Sequence, residues 1–368
     1  MGKKNQRVWL NRTYATNYHL VRMLKEPAEG RNRTVEVTAT HPDTSSPVLL
    51  AADHAATEPE NVTDAEYVNW ATRFAADNSI DVFMPVAYQH AIASAEQRFN
   101  QIGTQIISSP PESIHLLEDK AETYREAAAL HCPVPDYATV TTLEQFDTAY
   151  SALRSTHSRL CIKPVKGVGG QGFRIISEKK PEFFDITTGI SPTINLDELR
   201  TRLSTRDHFD PIMVLPYMPG EETSVDILAI NGMIVSATPR TKNSNNRTVR
   251  LEARPELDEP TLRLAWRFQL HGLVNIQYRY DTDGNPMLLE INTRPSGGLF
   301  QSCAAAGNLP AMMLSLLTDP RTHEAAQAAA EAAASSGDLA REGSELARAL
   351  NVFQPEMPQN VTVLPGLA

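Results

Sequence analysis

Cysteine is scarce, with 3 in 368 residues. Cys132, Cys161 and Cys303 stand far apart and form no CxxC pair, which argues against a disulfide framework and against a cysteine-bound zinc. Positive charge is also in deficit. Lysine plus arginine is 34 against 44 aspartate plus glutamate, a net charge of −10, so neither nucleic acid nor an anionic membrane is an expected partner. No apolar run approaches the ~20 residues that span a bilayer. The basic start MGKKNQRVWL has no apolar h-region, so no signal peptide is expected and the expected address is the cytoplasm. Gln6 stands where a myristoylation motif needs Ser or Thr. What is present is a core-forming share of 41% hydrophobic residues, that of an ordinary globular chain.

The first hundred residues alternate β-like and helical runs. Val8–Leu10, Thr34–Thr38, Val48–Ala51 and Asp81–Val86 read as strands, and 64–78 reads as a helix on the spacing of Ala65, Val68, Ala71 and Phe74. Alternation of this kind predicts a small α/β lobe over residues 1–110 with a parallel sheet. Pro110-Pro111 then punctuates the chain. A helix is expected over 112–131, a second over 143–154, and strands at 159–165, 173–177, 212–215, 223–230, 233–238, 273–281 and 286–293. Residues 240–250 read as a polar, basic stretch. The alanine-rich residues 321–349 favour helix, surface-packed or mobile and without chemistry.

Gly167-Val-Gly169-Gly170-Gln-Gly172 matches GxGxxG as a string. A dinucleotide site needs that string between a strand and a helix, whereas both flanks here are β-like. The string therefore reads as the tip of a hairpin, whose bare amides could wrap a phosphate. Lys163 on the incoming strand would lie beneath it as a clamp.

The most specific signal lies further on. Asn275-Ile-Gln277 and Glu290-Ile-Asn292-Thr-Arg294 lie on two alternating runs joined at Asp283-Gly284, a strong hairpin cue. A turn centred there sets Gln277 opposite Glu290 and Asn275 opposite Asn292, all on one face. One carboxylate and three amides are hard oxygen donors of the kind Mg2+ accepts while it keeps waters and substrate phosphates. Arg294 continues the same face and could pair with a phosphoryl group or a carboxylate.

This pattern resembles the ATP-grasp superfamily of carboxylate–amine and carboxylate–thiol ligases, over roughly residues 80–310. The resemblance rests on Lys120, on Ile162-Lys163 with the glycine loop, on Val214-Leu-Pro-Tyr217-Met-Pro-Gly220-Glu-Glu222-Thr-Ser-Val-Asp226, and above all on Glu290-Ile-Asn-Thr-Arg-Pro-Ser-Gly-Gly298. Gln277, an amide where several branches carry an acid, brings it nearest the carbamoyl-phosphate-synthetase-like branch. Pro216 departs from the acidic hinge residue of many relatives.

The resemblance implies an α/β and α+β fold. A pre-ATP-grasp-like domain at 1–110 would be followed by an ATP-grasp domain at 111–318, with its flap subdomain at about 135–215, and by an alanine-rich helical segment at 319–368. It implies that Lys120, Lys163, Gly169 and Gly170 hold ATP phosphates, that Leu215, Tyr217 and Met218 line the adenine hinge, and that Glu222 lies near ribose or phosphate. Gln277, Glu290 and Asn292 would hold Mg2+ (or Mn2+), and Arg294 and Asn275 would steady the transferred group. Arg240, read as the basic residue nearest a strand end among Lys242, Arg247, Arg250 and Arg254, is the first candidate for the acid substrate's carboxylate. The expected activity is an ATP-dependent ligase acting on small carboxylic acids and amines. A regulatory ATP-binding protein and a bicarbonate-activating carboxylase are the alternatives. The resemblance allows a homodimer.

Overall fold

The computed structural model describes residues 5–26, 34–167, 170–179, 192–243, 248–352 and 361–363. They fall into two compact units. One comprises Met1–His115, Glu221–Gln277 and Ile291–Ala368, and the other Leu116–Gly220 and Tyr278–Glu290.

In the first unit, β1 (Gln6–Asn11), β2 (Val35–His41), β3 (His54–Thr57), β4 (Val82–Met84) and β5 (Gln105–Ile106) form one sheet in the order β3-β2-β1-β4-β5. Every pairing in it is parallel, as the strand–helix alternation predicts. The helix Asp64–Asp77 starts at a capping box in which Thr63 and Glu66 satisfy each other's backbone N–H. One expectation changes: the run at Val48–Ala51 is a short helix, Pro47–Ala51. Pro47 at its first turn has a fixed φ suited to helix and lacks only an N–H that would be unpaired there anyway.

In the second unit, β6 (Ala138–Val140), β7 (Leu160–Pro164), β8 (Arg174–Ser177), β9 (Thr193–Asn195) and β10 (Ile212–Pro216) are ordered β6-β10-β7-β8-β9. Phe146, Leu160, Ile162, Leu199 and Val214 form its core. The helix expected over 112–131 is broken into Pro111–Leu117 and Lys120–Ala129. Asp119 breaks it by turning extended and capping the second helix, its carboxylate accepting from the N–H groups of Ala121 and Glu122.

The third sheet holds β11 (Glu222–Ile230), β12 (Met233–Lys242), β13 (Val249–Leu251), β14 (Gly272–Tyr280), β15 (Pro286–Asn292) and β16 (Val361–Val363), in the order β15-β14-β11-β12-β13-β16. The chain passes between the two units within β14 and β15. β12 runs four residues past the expected end at 238, because Arg240, Thr241 and Lys242 pair with β13.

The alanine-rich segment forms two helices, Pro320–Ser336 and Leu339–Ala349, separated by Gly337 in the left-handed region at φ 73°. Ala326, Ala333, Leu346 and Ala347 are buried in the same core as Leu228, Ile230, Met233 and Val235 of the third sheet and Val8, Leu10 and Val37 of the first. A Cβ on Gly343 would lie 2.8 Å from the Ile234 carbonyl, so the last helix sits directly on β12. Alanine serves here because small side chains let helix and sheet approach closely.

Candidate active site

The glycine string stands between the two strands of a hairpin. β7 and β8 pair antiparallel, with Cys161 opposite Ile175 and Ile162 opposite Arg174. Gly170 and Gly172 both take positive φ, at 70° and 74°, which only glycine adopts without strain. A Cβ on Gly172 would also meet Pro164 Cγ at 2.6 Å, whereas one on Gly170 would meet nothing within 4 Å. Gly169 lies outside the described residues.

At the base of this hairpin the second unit gathers two lysines, a tyrosine and a carboxylate. Lys163 is buried on β7, opposite Met213 of β10. Its Nζ donates to the Tyr124 hydroxyl at 2.8 Å and to the Leu289 carbonyl at 3.4 Å, and lies 4.7 Å from the centre of the Tyr124 ring. Burial, then the charge of Lys120, push the Lys163 pKa down to about 8, while the Glu290 carboxylate opposes them. Tyr124 is fully buried and donates to Leu289 O at 3.1 Å. Burial holds its hydroxyl protonated. Lys120 opens its helix and donates from Nζ to Gly167 O at 2.6 Å. Burial lowers its pKa too, with Glu290 and Asp119 working the other way. A lysine in the first turn of a helix faces an unfavourable dipole. Two desolvated ammoniums thus crowd one carboxylate and are hydrogen-bonded to neutral oxygens, an arrangement that further negative charge would relieve.

The segment expected to form the hinge lies in the same unit. Leu215 and Met218 are buried, and Tyr217 lies between Arg159, 4.6 Å from its ring centre, and Arg279, 5.9 Å away. The Tyr217 N–H bonds Arg159 O at 2.9 Å, and the Met218 carbonyl accepts from Arg279 Nε at 2.7 Å. Both contacts fix the segment around Pro216.

The first unit carries the amides. Asn275 and Gln277 share one face of β14, with Gln277 Nε2 donating to Asn275 Oδ1 at 2.9 Å. Asn275 Nδ2 donates to Asp226 Oδ1 at 2.8 Å. Asp226, on β11, is fully buried and also accepts from Ser302 Oγ at 2.6 Å and from Arg240 Nη2 at 3.3 Å. Arg240 therefore lies inside β12 and is buried, where the sequence suggested a loop beyond a strand end. Its second acceptor is Ser296 Oγ at 3.3 Å, and a Cβ on Gly298 would strike its guanidinium at 2.6 Å. Glu222 pairs with Lys242. Arg294 lies over the Tyr14 ring at 4.6 Å and donates to Asn292 Oδ1 at 3.2 Å.

The hairpin of β14 and β15 turns over three residues, not two. Asp281 N–H bonds Asn285 O, Gly284 N–H bonds Asp281 O, and Gly284 takes φ 82°. Asp281 thus faces Asn285, one residue off the pairing that a two-residue turn at Asp283-Gly284 would set. β15 also breaks strict alternation, burying Leu288 and Ile291 three residues apart.

Residues 208–337 match the family model described as ATP-grasp in the biosynthetic pathway with Ter operon. Solved structures of similar fold include N5-carboxyaminoimidazole synthetase from Staphylococcus aureus, 14% identical, with 85% of this chain and 77% of that chain covered at a TM-score of 0.59. L-amino acid ligase from Bacillus licheniformis is 14% identical over 85% and 74% at 0.59. Biotin carboxylase from Campylobacter jejuni is 14% identical over 84% and 70% at 0.60. No curated protein matches in sequence. Residues 208–337 are thus similar to an ATP-grasp family, and the chain shares the fold of these solved structures.

The chain keeps Lys120, Lys163 and Glu290 in one unit, and Asn275, Gln277, Asn292 and Arg294 in the other. Within the strands β14 and β15 the acidic and amide side chains are one carboxylate, Glu290, and three amides, Asn275, Gln277 and Asn292. Among the described residues no three His, Cys, Asp or Glu side chains converge. Such donors suit a hard divalent ion that keeps waters and phosphate oxygens, not a zinc. Sequence reasoning missed Tyr124, Ser296 and Ser302, and gave Asp226 no role. The signal for Asp226 was legible: it is a lone charge inside the apolar run Val225–Ile230, and such a charge needs a buried partner.

Proposed function

We propose that the chain is an ATP- and Mg2+-dependent ligase that activates a small carboxylic acid as its acyl phosphate for attack by an amine. The observation that carries this reading is the pair of desolvated lysines, Lys120 and Lys163, set against Glu290 beside Tyr124. Phosphoryl transfer asks a protein for positioning and charge neutralisation more than for covalent help. Lys163 and Lys120 would take phosphate oxygens, with Tyr124 fixing the Lys163 ammonium. The glycine hairpin tip would exclude water from the acyl phosphate. Leu215, Tyr217 and Met218 would seat the base, with Glu222 towards the ribose. Gln277, Glu290 and Asn292 would hold Mg2+, which supplies charge neutralisation at the phosphates. Arg294 would steady the transferred phosphoryl group.

In the first step the carboxylate oxygen attacks the γ-phosphorus and the bond to the β-phosphate oxygen breaks, releasing ADP. In the second the amine nitrogen attacks the acyl carbon, phosphate leaves, and the nitrogen sheds a proton to solvent.

The decisive experiment incubates the protein with ATP, Mg2+ and pooled carboxylic acids, with hydroxylamine as the trapping amine. ADP release and hydroxamate formation are measured together. The reading expects acid-dependent formation of both, lost in Glu290→Gln. ADP release dependent on bicarbonate alone would replace it with a carboxylase. ATP binding with no turnover on any acid would replace it with a regulatory role.

A further inference from the structure

Asp226 and four side chains, Ser302, Arg240, Asn275 and Gln277, form a chain of hydrogen bonds with a fixed sense. A carboxylate can only accept. Asp226 Oδ2 takes the Ser302 hydroxyl at 2.6 Å and the Arg240 guanidinium at 3.3 Å, which leaves Oδ1 for Asn275 at 2.8 Å. Asn275 must therefore turn its NH2 towards Asp226. Its Oδ1 then faces away from Asp226 and accepts the NH2 of Gln277 at 2.9 Å. Each amide is forced by the one before it, and the last group in the series is Gln277 Oε1.

Asp226 and Asn275 are fully buried, so water cannot substitute for a missing donor or acceptor and the wrong amide orientation would face oxygen to oxygen. Asp226 in turn is held on both sides: Ser302 lies in the helix Leu299–Ala306, and Arg240 on β12 is wedged under Gly298. Gln277 itself is half-buried, and its amide could rotate if nothing held it.

We infer that Asp226 and Asn275 are positioning residues that set which end of the Gln277 amide meets the ligand, presenting its oxygen to a divalent cation. The inference rests on the proposed role of Gln277 as a metal donor. An NH2 group in that place would repel the ion. A glutamate at 277 would need no such control, because its two oxygens are equivalent. The arrangement explains how an amide can do a metal ligand's work where a carboxylate is the simpler choice.

The test titrates Mn2+ into the full-length protein in the presence of ADP and reads bound ion by electron paramagnetic resonance, with melting temperature recorded for each variant. Asn275→Ala cuts the series while leaving Asp226, Arg240 and Ser302 together. It should weaken Mn2+ binding by about 10- to 100-fold, the usual cost of losing a group that orients a ligand. In the Gln277→Glu background the same change should cost less than about 3-fold, because no amide remains to be oriented. The pair Asp226→Asn with Gln277→Glu reverses every donor and acceptor in the series and should bind Mn2+ more tightly than Asp226→Asn alone. If Asp226→Asn does not fold, the Asn275→Ala comparison stands without it. Equal loss from Asn275→Ala in both backgrounds, or no loss in the native one, overturns the relay while leaving the ligase reading standing. Native protein that takes up no Mn2+ with ADP overturns both.

Discussion

The two units handle buried charge in opposite ways. Around Asp226, each charge finds its complement: Arg240, Ser302 and Asn275 surround the carboxylate in a fully hydrogen-bonded set. Around Lys163, two ammoniums are desolvated beside one carboxylate and donate to the neutral oxygens of Tyr124, Leu289 and Gly167. Burying a charge is costly unless it is paired. The first arrangement holds the fold and orients a neighbour. The second holds a charge imbalance that binding an anion would relieve, which is what the proposed role in holding phosphates calls for.

Substitutions can break this contrast. The largest effect expected is on folding in the Asp226 set. Asp226→Ala leaves the Arg240 guanidinium buried and unmatched and should cost about 3–5 kcal/mol, read from urea denaturation. Lys163→Met should lose no stability near neutral pH, because it removes a desolvated charge of similar length. A large loss there would erase the distinction between the units. On turnover the order reverses: Lys163→Met should lower kcat by roughly 100- to 1000-fold, the scale seen when one charge-stabilising donor is removed.

The pH dependence sharpens the same point. The Lys163 pKa is about 8 in the folded chain against an ordinary 10.5. The unfolded chain therefore holds more protons between those values, and stability should rise with pH across that window. It is fully gained above 10.5 and lost as pH falls through about 8. ADP affinity should move the other way, falling as pH rises past about 8 while Lys163 loses its charge. Isothermal titration at stepped pH, with Lys163→Met as the flat control, checks the sign. Affinity that climbs with pH in the native protein would rule Lys163 out as the phosphate clamp.

The smallest effects lie in the glycine hairpin. Gly172→Ala combines positive φ with a Cβ against Pro164 and should destabilise by about 1–2 kcal/mol. Gly170→Ala carries only the φ penalty, about 1 kcal/mol. If the two prove equal in thermal melts, the contact with Pro164 has no weight.

Much of this was readable in advance. The hairpin identity of the glycine loop followed from its β-like flanks, and the lysine on its incoming strand followed with it. The polar pair Asn275 and Gln277 followed from period-two alternation. The break at Asp119, the helix at Pro47 and the three-residue turn before Asn285 did not follow, because each depends on which backbone groups a cap or turn satisfies. The alanine-rich tail was expected as a surface-packed or mobile helix, but which of its residues a sheet buries did not follow, since small residues carry a weak burial signal until a sheet face is there to receive them.

Sequence alone determined the alternations, the punctuating prolines and glycines, and the residue types able to hold phosphate and a hard cation, because these are set by local geometry and side-chain chemistry. Only the tertiary structure decided which charges would be matched. Asp226 meets Arg240 across paired strands, and Lys163 meets Tyr124 and Leu289 from segments far apart in the chain. A charge's surroundings, unlike its identity, come into being only when distant segments close around it and exclude water.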